Sequence, residues 1–290
     1  MPLARLTTFT HDGLTFDVRD TGPIDGEVVV LLHGFPQRAS SWDKVANLLH
    51  GHGYRTVAPD QRGYSPGARP PRRRDYTLDL LVGDVVALIH TLDAPRKVHL
   101  VGHDWGACVA WPVAARNPDL VASLVSVSVP HPAAFLRSML GKQLFKSWYI
   151  AAFQLPWIPE KILGDPARSK KALRGMGMSH EMAATFRKDI VDHGALSGAL
   201  NWYRALPLSN PRLTGGRVRV PTTHVWSDGD AALGQRGAQL AEEYVEAPYE
   251  LQVLAGVSHW IPDEVPETLA EIVCERIITA GDEDARPSGH

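Results

Sequence analysis

The sequence predicts a mostly parallel, doubly wound α/β sheet that carries an inserted helical cap. Short apolar strand-like runs alternate with helical patterns from Val28 to Val129 and again from Val220 to Ile278, the sequence signature of a parallel sheet with helices on its faces. Between His131 and about Gly216 the alternation stops, and a stretch rich in Ala, Leu, Met and aromatics, broken by Pro156, Pro159 and Pro166, reads as several short helices. The division expected is therefore a core in two parts, 1–130 and 217–280, a helical cap over 131–216, and a disordered tail over 281–290.

The composition suits such a globular chain. Its 290 residues are 44% hydrophobic and 21% charged, with a formal net charge of -2. That balance gives no electrostatic case for nucleic acid or an anionic membrane. Two cysteines, Cys108 and Cys274, argue against a disulfide framework. The start, Met1-Pro-Leu-Ala-Arg, lacks a signal-peptide pattern, and no apolar run reaches the about 18 residues of a membrane span, so a cytoplasmic protein without a stable membrane anchor is expected.

In chain order, Leu6–Thr10 and Leu14–Val18 alternate about Asp12-Gly13, as a hairpin at an antiparallel sheet edge would. Val28–Leu32 is a continuous apolar run suited to a strand buried on both faces, and it leads into His33-Gly34-Phe35-Pro36. Ser41 reads as the cap of a helix through Leu49; Tyr54–Pro59 is the next strand, and Asp60–Tyr64 the loop after it. Arg69-Pro-Pro-Arg-Arg-Arg reads as a solvated basic loop, because prolines interrupt it and no aromatics interleave it. Leu78–Leu92 has helical spacing, Val98–Val101 strand character, and a helix follows until Asn117-Pro118. After the cap come a strand at Val220–Trp226, a helix over Gln235–Tyr244, a strand at Tyr249–Leu254 and a closing helix from Pro266 to about Ile278.

The turn Val101-Gly-His-Asp-Trp-Gly-Ala107 has the pattern of a nucleophile elbow, in which small neighbours let the backbone double back between strand and helix. The bent residue is Asp104, where G-x-S-x-G would carry serine. A carboxylate is ionised at neutral pH and attacks without a base. Attack by serine on an sp3 carbon leaves an ether, whereas aspartate leaves an ester that water can open. The expected electrophile is an epoxide or alkyl halide; the competing reading is that Asp104 only caps the helix. The loop at Phe35 would contribute one backbone N–H, and Trp105 the other, to hold a developing oxyanion.

Trp226-Ser-Asp-Gly-Asp230 follows one late strand and Gly256-Val-Ser-His259 the next, which gives the chain order nucleophile, acid, histidine. His259 could then activate water, with an acid fixing its tautomer. Asp228-Gly229 has turn chemistry, which leaves Asp230 the better acid.

With these residues in place the chain resembles an epoxide hydrolase of the α/β-hydrolase superfamily from about Val28 to Ile278. The resemblance implies two cap tyrosines that hydrogen-bond the epoxide oxygen. Ser147-Trp-Tyr149 with Phe153-Gln-Leu-Pro156 is similar to the first site, and Asn201-Trp-Tyr203-Arg to the second. It implies no cofactor and no metal, and a small apolar epoxide as substrate for a monomer or homodimer. Trp148, Phe153, Trp157 and Trp202, close to these tyrosines, either line an apolar pocket or pack the core. Haloalkane dehalogenases share part of the pattern, but Phe35 stands where many have Asn, and Ser126–His131 offers no carboxylate. Ser227 replaces the glycine usual before the acid. A third reading, a binding protein without catalysis, has no need of this ordering of groups.

Overall fold

The computed structural model describes residues 4–141, 143–214 and 216–284. Eight strands form one sheet in the order β1-β2-β4-β3-β5-β6-β7-β8. They are β1 (Thr8–His11), β2 (Leu14–Thr21), β3 (Val28–Leu32), β4 (Arg55–Pro59), β5 (Val98–His103), β6 (Val121–Val127), β7 (Thr222–Ser227) and β8 (Tyr249–Leu254). β1 and β2 pair antiparallel at the edge and β2 meets β4 antiparallel; every later pairing is parallel. The turn at Asp12-Gly13 takes positive φ at both residues, as a two-residue hairpin of the primed type needs.

β3, β4 and β5 are buried along their whole length, because helices cover both faces. On one side lie α2 (Leu78–Leu92) and α3 (Trp105–Arg116); on the other lie α1 (Asp43–Gly51) and the closing helix, Pro266–Asp284. Such burial on both faces is why these strands read as unbroken apolar runs rather than alternating ones.

The start of α1 departs from expectation. Ser41 is not a cap: it lies in a 3-10 turn, Ala39–Trp42, and no side chain caps the helix behind it. The Asp60 carboxylate at the end of β4 does the anchoring instead, accepting from the Ala39 N–H at 2.9 Å and pairing with Arg38. Arg69 also departs from the solvated basic loop. Its guanidinium donates to the Tyr64 and His193 carbonyls at 2.6 and 2.7 Å, while Arg72, Arg73 and Arg74 are exposed.

Between β6 and β7 run α4 (Pro132–Ser138), α5 (Gln143–Lys146), α6 (Trp148–Phe153), α7 (Ile158–Gly164), α8 (Pro166–Gly175), α9 (His180–Phe186) and α10 (Leu196–Ala205). α10 sits directly on the Asp60–Tyr64 loop: a Cβ on Gly198 would lie 2.6 Å from Gly63 Cα and O, so glycine is required there. The Trp202 indole N–H donates to the Arg62 carbonyl at 2.7 Å across the same seam. After β7 come α11 (Gln235–Leu240), α12 (Ile261–Glu264) and α13 (Pro266–Asp284). α13 therefore continues through residues expected in a disordered tail; the rest of that expectation, 285–290, lies outside the described residues.

Candidate active site

β5 ends at His103 and α3 begins at Trp105, leaving Asp104 alone on the bend with φ 53° and ψ -119°. A non-glycine residue held there is strained, and such strain persists only where the surroundings enforce it. They do so by close approach. A Cβ on Gly102 would meet the Gly106 carbonyl oxygen at 2.4 Å, one on Gly106 the Leu32 oxygen at 2.0 Å, and one on Gly34 the Asp104 Cβ at 2.3 Å. The carboxylate makes no capping bond to α3. Its Oδ1 accepts from the Phe35 N–H at 2.7 Å, and its Oδ2 lies 3.4 Å from His259 Nε2.

His259 donates Nδ1–H to Asp230 Oδ2 at 2.7 Å. Asp230 Oδ1 accepts from the Ala232 and Leu233 N–H groups at 2.7 and 2.8 Å. Burial alone raises a carboxyl pKa, but the His259 charge and these donors overcome it and hold Asp230 below the ordinary value. For His259 burial works downward, yet the charges of Asp230 and Asp104 win and lift it to about 10. The ring is thus an imidazolium between two carboxylates. Asp228 is exposed and accepts from the Gly256 N–H at 2.7 Å, tying the end of β7 to the end of β8.

The loop bearing His259 is held from below. His103, kept neutral by burial at a pKa of about 4, donates Nε2–H to the His259 carbonyl at 2.9 Å, and Ser128 Oγ donates to the same oxygen at 3.0 Å. Ser227 Oγ donates to the Ser258 carbonyl at 2.8 Å. The serine in place of glycine therefore links the acid strand to the histidine loop.

Above Asp104 opens a cavity of about 660 Å³, with Asp104 and His259 at its floor. Phe35, Tyr149, Phe153, Tyr203 and Trp148 line it. Tyr203 is buried, with its ring 5.0 Å from that of Trp105 and 6.0 Å from that of Tyr149. Burial, then the Asp104 charge, pushes both phenols well above their ordinary pKa. Each is a proton-bearing donor at neutral pH. Cys108, one helical turn past Asp104, is pushed up for the same two reasons and is a neutral thiol.

Two of the expected pocket residues lie elsewhere. Trp202 does not line the cavity: its indole is turned into the seam, where its N–H is held by the Arg62 carbonyl. Trp157 precedes α7 in a left-handed conformation and is exposed to solvent. Lining residues not anticipated from sequence are Trp260, Met176, Leu163, Ile158 and Lys146. Lys146 donates to the Asp230 and Leu233 carbonyls at 2.6 and 3.2 Å.

A mostly parallel eight-stranded sheet, an acidic elbow after β5, an acid after β7 and a histidine after β8 together define an α/β hydrolase. The family model for the alpha/beta hydrolase fold matches residues 27–186. Epoxide hydrolase 3 of Xenopus tropicalis is 36% identical over 278 residues, covering 90% of this chain and 74% of its own. Epoxide hydrolase A of Mycobacterium tuberculosis is 30% identical over 307 residues, covering 91% and 94%. The crystal structure of an epoxide hydrolase from Vigna radiata superposes with a TM-score of 0.80 at 29% identity, covering 94% of this chain and 97% of that one. The chain belongs to the α/β-hydrolase family, among its epoxide hydrolases.

Proposed function

We propose that the chain converts an epoxide and water to a vicinal diol through an ester on Asp104, with residues 131–216 acting as a cap domain. The observation that carries the reading is the division of labour on one carboxylate: Oδ1 is bonded to the Phe35 N–H, while Oδ2 lies by His259 beneath the cavity. In the first step Oδ2 attacks a ring carbon and the C–O bond breaks. The departing oxygen takes a proton from Tyr149 or Tyr203, which needs no separate base because the alkoxide itself is the acceptor.

Esterification removes the Asp104 charge, and with it one of the two carboxylates that keep His259 protonated. The imidazolium proton replaces the one the phenol gave, leaving His259 neutral. It then takes a proton from water, which attacks Cγ of Asp104. The oxyanion forms on Oδ1, where Phe35 N–H already points and Trp105 N–H joins it; losing one such donor typically costs about 3 kcal/mol. Collapse breaks the ester bond, the departing alkoxide takes the proton of the hydroxyl now on Cγ, and the diol leaves with the carboxylate and imidazolium restored.

The test is diol formation from styrene oxide and stilbene oxide by wild type and Asp104→Ala side by side. Turnover in the first and none in the second is expected. Turnover by both would remove Asp104 from the reaction, and halide release from alkyl halides without diol formation would move the reading to a dehalogenase.

A further inference from the structure

We propose that the rim of the cavity is a docking surface for an anionic lipid bilayer, an inference that does not depend on the reaction proposed above. Among the described residues, nine of the thirteen exposed large apolar side chains fall between Leu136 and Ile162. Trp148, Ile158 and Ile162 are exposed at 69%, 49% and 37% and yet line the cavity, which places them on its rim. Phe145 and Trp157, exposed at 79% and 73%, stand beside them on the outer surface without lining the cavity. Clustered aromatic and aliphatic side chains left in water mark an interaction site.

The charge around this rim selects the partner. Arg168 and Lys171, exposed and one helical turn apart on α8, line the same cavity, and neither forms an ion pair among the described residues. Residues 132–175 hold eight Lys or Arg against two Asp or Glu, whereas the whole chain carries -2. The two acids are already engaged: Glu160 pairs with Arg204, and Asp165 caps the start of α8. A second copy of this chain would bring the same cations to meet these ones. An anionic bilayer instead offers apolar depth for Phe145, Trp148 and Trp157 and phosphate charge for Arg168 and Lys171, the pattern of a peripheral interfacial binder. Among the described residues no helix is long and apolar enough to cross a membrane. Docking by the rim would open the cavity toward a phase in which apolar substrates concentrate.

The experiment is flotation of the full chain with vesicles of phosphatidylcholine alone and of phosphatidylcholine with phosphatidylserine. Flotation is expected with the anionic vesicles only, and its loss at about 1 M salt, where the screening length falls to about 3 Å. Arg168→Gln and Lys171→Gln should each lower partitioning about fivefold. Phe145→Ser with Trp157→Ser should abolish flotation while the thermal unfolding midpoint stays at the wild-type value. No flotation with anionic vesicles overturns the proposal, as does flotation that the Phe145→Ser, Trp157→Ser variant retains. A dimer in light scattering that this variant dissolves, without vesicle binding, assigns the rim to a second copy and also overturns it.

Discussion

Replacing Asp104 by Asn should lower the pKa of His259 by between about one and three units, while leaving the fold intact. His259 Nε2 lies 3.4 Å from Asp104 Oδ2, and Nδ1 lies 2.7 Å from Asp230 Oδ2. At an effective dielectric near 20, a unit charge pair at the longer separation is worth about 5 kcal/mol, which caps the change at about 3.6 in pKa. The amide keeps the shape and the Oδ1 acceptor for Phe35, so burial of the imidazole is unchanged. Its NH2 can also donate to a neutral Nε2, which adds to the drop. The assay is a 15N NMR titration of histidine side chains, with the His259 signal assigned by its loss in His259→Gln. The wild-type ring should titrate near the value of about 10, the variant clearly below it. Because the folded-state value lies above the ordinary 6.5, the protonated ring stabilises the fold fully below about pH 6.5 and loses that contribution as pH rises toward 10. The Tm of wild type should therefore fall more steeply across that window than that of Asp104→Asn. A His259 signal that titrates at the same pH in both proteins would refute the idea that esterification of Asp104 switches the histidine into a base.

His259→Gln should stall after ring opening, visible in intact-mass spectrometry as protein plus one substrate; an unmodified variant that still turns over would remove the water-activating role. Asp230→Asn should reduce turnover at least about a hundredfold by freeing the imidazole orientation, whereas Asp228→Asn, which loses only the bond to Gly256 N–H, should act mainly on stability. Tyr149→Phe and Tyr203→Phe should each slow single-turnover ring opening about tenfold or more and leave ester hydrolysis untouched; two neutral results would dismiss both phenols. Gly198→Ala should push α10 off Gly63 and displace Tyr203, lowering kcat more than it changes KM, with kcat and KM both at wild-type values as the contrary result.

The elbow was legible because a turn this tight admits few residues. Gly102, Gly106 and Gly34 are dictated by carbonyls and a carboxylate that leave no room for a Cβ, so they stand in the sequence at fixed offsets from Asp104. The choice of Asp230 over Asp228 was legible for a related reason, since Asp-Gly is turn chemistry wherever it occurs. The support under His259 was not. His103 and Ser128 reach its carbonyl from 156 and 131 residues away, and a donor to a backbone oxygen can be any of many side chains. Trp202 packs the core rather than the pocket, and the sequence could not separate the two because the Arg62 carbonyl that takes its indole N–H lies 140 residues away. Net charge concealed the basic stretch over 132–175, because an average over 290 residues erases a local excess.

The segments that bear the two phenols are tied to different parts of the core. α10, which bears Tyr203, rests on the Asp60–Tyr64 loop through Gly198 and Trp202. That loop in turn holds the turn before Phe35: the Gln61 N–H donates to His33 Nε2 at 3.1 Å and its side chain to the His33 carbonyl at 2.6 Å. Tyr149 follows α5, whose Gln143 and Lys146 bond Ala232, Gly234, Asp230 and Leu233 on the loop that holds the acid. A third tie runs from the Trp260 indole N–H to the Met176 carbonyl at 3.1 Å, beside His259. The segment with Tyr203 is therefore tied to the loop that supports Phe35, and the one with Tyr149 to the loop that holds Asp230. If residues 131–216 act as the proposed cap, a motion that admits substrate would stretch these same seams. Under the proposed mechanism, ring opening would then depend on the contacts that also set the geometry for the hydrolytic step.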